Sequence, residues 1–320
     1  MLSILSTLVP VFGIILLGII VERMDFMPKE TSVCLNQFVY WIGLPLLLFN
    51  ALARMEAGQL SSALLWGILL GLLIPYAVAY LLFFIGFPQR RQEGAVFALL
   101  SSFPNSAFMG LPIVVLLLPG DEDAALIASV GAVLGVVNLL FTDTVLEMGR
   151  HCGEGRAKAC FSLLRSLYHN PMLICSGLGV LVSLLHIKVP QPLMSIASML
   201  GSTAAPCALF CMGMILSVQM TSSRGFVKGW VRRQFPLHLF KLIGQPLLTF
   251  AVLSALGVRG VAVAVATLVS AMPAGVAAYI IAEKYQVYAE DSSLGIVINT
   301  GLSALSIPLI VLILQYYGFF

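Results

Sequence analysis

Ten stretches of about 20 mostly apolar residues dominate the chain, and each is long enough to cross the hydrocarbon core as a helix. They run roughly Ser3–Val21, Ser32–Ala53, Leu60–Phe87, Gly94–Leu118, Asp123–Leu146, Leu163–His186, Leu193–Met220, Phe235–Leu256, Gly260–Ala282 and Ala289–Tyr316. A lipid-facing backbone must satisfy its own polar groups, so these stretches are helices or they are nothing. The loops between them are too short for a second soluble domain. Only 10% of the 320 residues are charged and 60% are hydrophobic, against roughly 25% charged in a soluble domain. That balance excludes a secreted disulfide scaffold, a disordered tail and a soluble enzyme. A net charge of +3 leaves no electrostatic footprint for nucleic acid. The fold class is an all-α polytopic membrane protein, with the lipid bilayer as its first partner.

The longest polar stretch, Glu147 to Arg165, divides the chain. Residues 1–149 form a first set of five spans, 150–162 a cytoplasmic linker and 163–320 a second set. The first apolar run lacks a basic leader and a cleavage site, so it reads as an uncleaved span. Cys34, Cys175, Cys207 and Cys211 fall within spans, and Cys152 and Cys160 in the linker. The Cys207/Cys211 pair has no His or carboxylate nearby in sequence, so it reads as interface packing rather than a metal site. No cofactor is expected.

The basic residues give an orientation. Of the seventeen Lys and Arg, 14 fall in loops after odd-numbered spans. They run from Arg23, Lys29, Arg90 and Arg91 through Arg150, Arg156, Lys158 and Arg165 to Arg224, Lys228, Arg232, Arg233, Lys241 and Lys284. Only 3, Arg54, Lys188 and Arg259, fall on the other side. The positive-inside rule puts the larger group in the cytoplasm. Both termini then lie outside it, in the inner membrane of the cell.

The two halves repeat each other. Pro10 and Pro171 are 161 residues apart, as are Pro45 and Pro206 with the Leu-Phe that follows each. Pro28 matches Pro190, Pro75 matches Pro246 and Gly86 matches Gly257. Ser101-Ser-Phe-Pro104 matches Ser270-Ala-Met-Pro273. Five spans per half invert the second copy in the membrane, an architecture frequent among secondary transporters.

Such transporters bind substrate near the midplane, where broken helices meet. Pro104 removes a backbone donor in the middle of span four, and Ser101, Ser102, Asn105 and Ser106 stand ready to satisfy the freed groups. Span nine repeats the device with Pro273, Ala274 and Gly275. Two crossing breaks would aim two helix N-termini at one place, a positive site without a cation. No Lys or Arg lies near the middle of any span. Lys241 is nearest and reads as a snorkelling residue at the cytoplasmic end of span eight. Asn50, Asn138 and Asn299 are further polar groups at depth, each either ligand or interhelical glue. Asp143 is the deepest acid. It either carries a coupling proton or pairs with Lys241 or a loop arginine. His238 reads as a surface histidine one turn from Lys241. The histidines avoid the span centres, and H-E-x-x-H, mid-span aspartate pairs and a P-loop are all missing, so protease and ATPase chemistry is not expected.

Pro104-Asn105-Ser-Ala-Phe108-Met109-Gly110-Leu111-Pro112 resembles the N-x-x-F-M-G-L-P signature of the auxin efflux carrier family, whose bacterial members include malonate-transporter-like proteins. Leu8-Val-Pro10-Val-Phe-Gly13 with Gly18, Leu44-Pro45 and Asn170-Pro171 fit the same pattern. So do Ala205-Pro206 with Leu209-Phe210 and Gly213, Lys241 with Gln245-Pro246, and Ala271-Met272-Pro273.

The resemblance covers essentially the whole chain. It implies ten transmembrane helices in an inverted 5+5 repeat, with crossed broken helices four and nine. This is similar to the bile-acid sodium symporter fold, with an elevator-like transport domain. It implies transport of a small organic anion such as malonate or auxin. It also implies Asn105 on the substrate carboxylate and Val276 lining the pocket. The long hydrophilic loop of plant members is replaced here by about twenty residues. Ala274-Gly275 stands where many relatives carry a polar residue after the second proline. A coupling proton or sodium ion through Asp143 or Lys241, a homodimer, an antiporter of the same architecture and a non-transporting sensor all stay open.

Overall fold

The computed structural model describes residues 2–28, 30–55, 60–150, 171–222 and 234–319. All but residue 150 of the linker 150–162 lies outside them, with Cys152 and Cys160. The same holds for Lys29, the start of the sixth stretch at 163–170, and the basic residues Arg224, Lys228, Arg232 and Arg233.

Thirteen helical segments follow one another among the described residues. They are α1 (Leu2–Arg23), α2 (Thr31–Ala53), α3 (Ser62–Gly86), α4 (Arg91–Ser102), α5 (Ser106–Leu117) and α6 (Glu122–Arg150). After the linker come α7 (Pro171–Leu184), α8 (Gln191–Ser202), α9 (Ala204–Ser222), α10 (Gln234–Ala255), α11 (Val261–Ser270), α12 (Ala277–Tyr285) and α13 (Ala289–Tyr316). Among the described residues, six helices are long and apolar enough to cross a membrane: α2, α3, α6, α8 running into α9, α10 and α13. The chain is a multi-pass, all-helical membrane protein. Trp66, Leu81, Ile85 and Leu305 stand exposed on its outer faces, where lipid rather than water covers them.

Three π turns interrupt the helices, at Val39–Gly43, Ser106–Gly110 and Phe240–Gly244. Each is followed two residues later by a proline, Pro45, Pro112 and Pro246. Proline cannot donate to the carbonyl four residues back and its ring crowds that carbonyl. A wide turn just before it opens the space without ending the helix.

Glycines let the spans meet at backbone distance, and their contacts repeat. A Cβ on Gly18 would sit 2.2 Å from the Phe210 carbonyl and 3.1 Å from both Gly213 Cα and Met214 N. A Cβ on Gly179, 161 residues on, would meet the Phe49 carbonyl at 3.0 Å, Leu52 Cβ at 3.0 Å and Ala53 N at 3.3 Å. Those partners differ by the same 161 residues: Phe49 and Phe210, Leu52 and Gly213, Ala53 and Met214. The α1–α9 contact is thus made again, residue for residue, between α7 and α2. Gly43 packs on Ala204, its own equivalent at that offset, with 3.1 Å from a built Cβ to Ala204 Cβ.

Candidate transport site

The two helix breaks meet. After α4 ends at Ser102 the chain runs extended through Phe103 and Pro104, and after α11 it does the same through Pro273 and Ala274. Pro104 and Ala274 face each other as an isolated antiparallel bridge. Asn105 N–H donates to the Pro273 carbonyl at 2.8 Å, and Gly275 N–H donates to the Phe103 carbonyl at 3.0 Å. Each break therefore pairs backbone groups that the other leaves open, which is what an irregular segment buried in a membrane protein requires. Gly275 is needed for the fit, because a Cβ there would lie 2.4 Å from the Phe103 ring.

The crossing sorts helix ends by sign. On one side lies a cavity of about 460 Å³. Ala107, Phe108, Val276 and Ala277, the first residues of α5 and α12, all line it. The first-turn N–H groups of a helix lack intrahelical acceptors and carry partial positive charge. Asn105 sits between them, its Nδ2 3.3 Å from Met212 Sδ, and Pro104, Ser106 and Gly275 also line the cavity. On the other side lie the C-terminal ends of α4 and α11. Gln245 Nε2 donates to the Ser102 carbonyl at 2.7 Å. Lys241 Nζ donates to the Ser270 carbonyl at 2.9 Å and to Gln245 Oε1 at 2.6 Å.

The reading of Lys241 as a snorkelling residue is therefore corrected. Its side chain is fully buried, because the Ser270 carbonyl at the end of α11 and the Gln245 amide oxygen give it acceptors inside the protein. His238 is corrected for a related reason. It is 3% exposed and its Nδ1 lies 3.0 Å from Asn299 Nδ2. Among the described residues, Asp143 pairs with Lys284 rather than with Lys241; several of the loop arginines lie outside them. Lys284 Nζ lies 3.0 Å from its Oδ1, and the Tyr285 hydroxyl is shared between Asp143 Oδ1 at 2.9 Å and Glu147 Oε2 at 2.6 Å. Asp143 and Lys284 both line the cavity.

The remaining candidates separate by position. Ser102 lies behind the crossing, its hydroxyl bonded to the Ala98 carbonyl at 2.7 Å. Asn138 is there too, donating to Ser102 Oγ at 3.2 Å and to the Leu72 carbonyl at 3.3 Å. It ties α3, α4 and α6 together and does not face the cavity. Pro273 and Ala274 supply backbone only. Asn50 lies apart, in a small pocket with Arg54 and Glu122. Cys211 donates to the Ser32 carbonyl, a packing contact. The residues that sequence reasoning missed are Lys284 and Gln245 as site members, and Asn36, Gln37, Tyr40 and Trp41 on the cavity wall. Gln245 was within reach, four residues after Lys241 on one helix. Lys284 lies 141 residues from Asp143, and no local pattern joins them.

A family of membrane transport proteins matches this chain over residues 3–311. The chain belongs to that family, the auxin efflux carrier family. Its relatives agree over nearly full length. A Rhizobium meliloti protein named "Putative malonate transporter" is 27% identical over 311 residues, covering 96% of this chain and 94% of its own. An uncharacterized transporter of Methanothermobacter thermautotrophicus is 23% identical, covering 95% and 96%. Another, from Methanocaldococcus jannaschii, is 23% identical, covering 92% and 94%. The family member described here is thus a membrane transporter and not an enzyme, and its cargo is a small molecule.

Proposed function

We propose that this chain is a secondary active transporter of small organic anions, with the substrate carboxylate bound at Asn105 on the crossing of the two broken helices. The observation that carries the reading is the Pro104–Ala274 bridge. It turns the N-terminal ends of α5 and α12 into one cavity while the opposite ends face away. An anion there meets Asn105 and first-turn amides, and among the described residues that line the cavity the cation is Lys284. The R. meliloti relative's name points to a dicarboxylate. The cavity wall, with Trp41, Phe108, Met212 and Ile280, suits a carboxylate with an apolar body as well.

The same reading has ten spans in two inverted sets, 1–149 and 163–320, joined by the linker 150–162. α4 with α5 and α11 with α12 form the two broken spans, and α1 and α7 complete the count. The repeated glycine contacts at an offset of 161 support it. The broken spans move as a unit against the rest, elevator fashion, in the inner membrane with both termini outside the cytoplasm. The test is uptake of radiolabelled malonate and phenylacetate into proteoliposomes, the two probes spanning the small and the apolar ends of the class. Saturable uptake of either supports the reading. Ligand binding without flux under any imposed gradient turns it to a sensor, and sodium–proton exchange without an organic substrate turns it to an antiporter.

A further inference from the structure

The face of α10 that turns inward is polar along its length. Gln234, His238, Lys241, Gln245 and Thr249 follow one another at spacings of three or four residues, and every one is buried. Gln234 bonds through Nε2 to the Tyr288 hydroxyl. His238 meets Asn299. Lys241 and Gln245 reach the crossing, and Thr249 donates to the Gly71 carbonyl at 3.3 Å. Gln234 Oε1 in this row and Asn299 Oδ1 beside His238 are buried polar atoms without a hydrogen-bond partner among the described residues. Buried polar groups are costly unless paired, and five in line on one membrane helix exceed what packing needs.

Lys241 is the informative member. Its two hydrogen-bond acceptors, Gln245 Oε1 and the Ser270 carbonyl, match the two N–H groups of a neutral amine. They serve equally for two of the three on an ammonium. Both bonds survive the loss of a proton. The carbonyl ends of α4 and α11 favour the charged form. Among the described residues, the titratable groups around the row are few. His238 is on the same helix. At the Gln234 end lies Tyr288 at the start of α13, and Asp291 on α13 with Glu93 and Arg90 at the start of α4 act on it. The inner halves of α4, α11 and α13 carry no charged residue at all.

We infer that Lys241 holds the coupling proton of the transport cycle, and that the buried polar face of α10 leads that proton in from the Gln234 end. This rests on the anion-transport reading above. The neutral amine takes one proton, passed by His238, and becomes the ammonium; once the broken spans have moved, the ammonium gives that proton up to the side on which the substrate is released. Substrate and proton meet through the crossing. Ser270 is three residues from Pro273, whose carbonyl holds Asn105 N–H, and Gln245 grips the Ser102 carbonyl three residues before Asn105. A carboxylate on one side and an ammonium on the other attract each other across a low-dielectric gap. Each therefore strengthens the binding of the other, and reciprocally. One carboxylate and one proton crossing together carry no net charge.

The experiment is calorimetry of malonate and phenylacetate binding to the purified full chain, in buffers of different protonation enthalpy. We expect uptake of about one proton per carboxylate near the pH where the amine is neutral, and tighter binding as pH falls. Lys241→Arg keeps a charge that cannot leave. It should bind with no proton uptake and still exchange substrate across proteoliposomes, yet fail to accumulate it against an acid-driven gradient. His238→Asn should slow that accumulation several-fold and leave exchange alone. Binding to the wild-type chain without proton uptake overturns the inference and leaves the anion reading standing. Acid-driven accumulation by the Lys241→Arg variant does the same. Should that variant not fold, the wild-type proton count decides alone. Failure of both probes to bind overturns the anion reading, and this inference with it.

Discussion

Asn105 N–H is held by the Pro273 carbonyl at 2.8 Å, so the residue that closes one broken helix is fixed by the proline that opens the other. The bond joins positions 168 residues apart. It places the Asn105 side chain at the cavity without committing its amide oxygen to the protein. A side chain held this way is preorganised for a ligand, because its backbone does not have to move.

Gly275 sets the width of that crossing. A Cβ at this position would meet the Phe103 ring at 2.4 Å. Gly275→Ala should therefore lower transport at least tenfold with little loss of protein from the membrane. Gly275→Ala combined with Phe103→Ala should recover part of it. Uptake rates of the two variants in proteoliposomes, normalised to reconstituted protein, check this.

The glycine seam between α1 and α9 should govern stability. A methyl on Gly213 would press to 2.0 Å from the Ile15 carbonyl, which is backbone and cannot rotate away. Overpacking of this kind costs about 1–3 kcal/mol. Gly213→Ala should lower the thermal midpoint by several degrees. Gly13→Ala, on α1 two residues before Ile15 and with nothing within 4 Å, should leave it unchanged. Equal midpoints for the two variants would refute the close contact.

How much of this was legible in the sequence depends on the range of the interaction. Pro104 and Pro273 were legible because a proline with its serines breaks a helix locally, whatever surrounds it. The 161-residue offset was legible because Pro and Gly mark backbone geometry directly. Lys241 was misread because depth was judged from its distance to the charged loop. Seven residues beyond Gln234 carry it only about 10 Å along a helix, near enough to an interface to suggest snorkelling. What keeps it inside is the Ser270 carbonyl at the end of α11 and the Gln245 side chain, itself tied to the end of α4, and these come together only once the breaks have crossed. Asn138, left open between ligand and interhelical glue, shows a different limit. Its depth was read correctly, but a position on a helix does not say which neighbours its face meets.

Lys284 should tune the choice between one and two carboxylates. It lines the cavity beside Asp143, and its side chain is 56% exposed against 15% for the acid. A second carboxylate can compete for it at modest cost, since partly exposed pairs are weak. Lys284→Gln should weaken malonate by about tenfold, roughly 1.4 kcal/mol, and phenylacetate much less. Competition of each against labelled substrate measures the ratio. An unchanged ratio removes Lys284 from recognition.

The Ser102 carbonyl should need Gln245. Gln245→Leu leaves that buried acceptor and one arm of Lys241 without a partner, at a cost of about 1–3 kcal/mol. Gln245→Glu keeps an acceptor for Lys241 but loses the donor to Ser102. The thermal midpoint should fall for both variants. A midpoint unchanged in either would show that Gln245 does not hold the crossing together.

The most direct test is counterflow of labelled malonate and phenylacetate in proteoliposomes carrying wild-type chain or Asn105→Ala. Counterflow needs substrate binding and reorientation but no driving ion, so it isolates the site from the coupling. The account predicts saturable exchange by the wild-type chain and its loss, by at least tenfold, in an Asn105→Ala variant of unchanged thermal stability. Wild-type rates in that variant would contradict it and remove the carboxylate from the crossing.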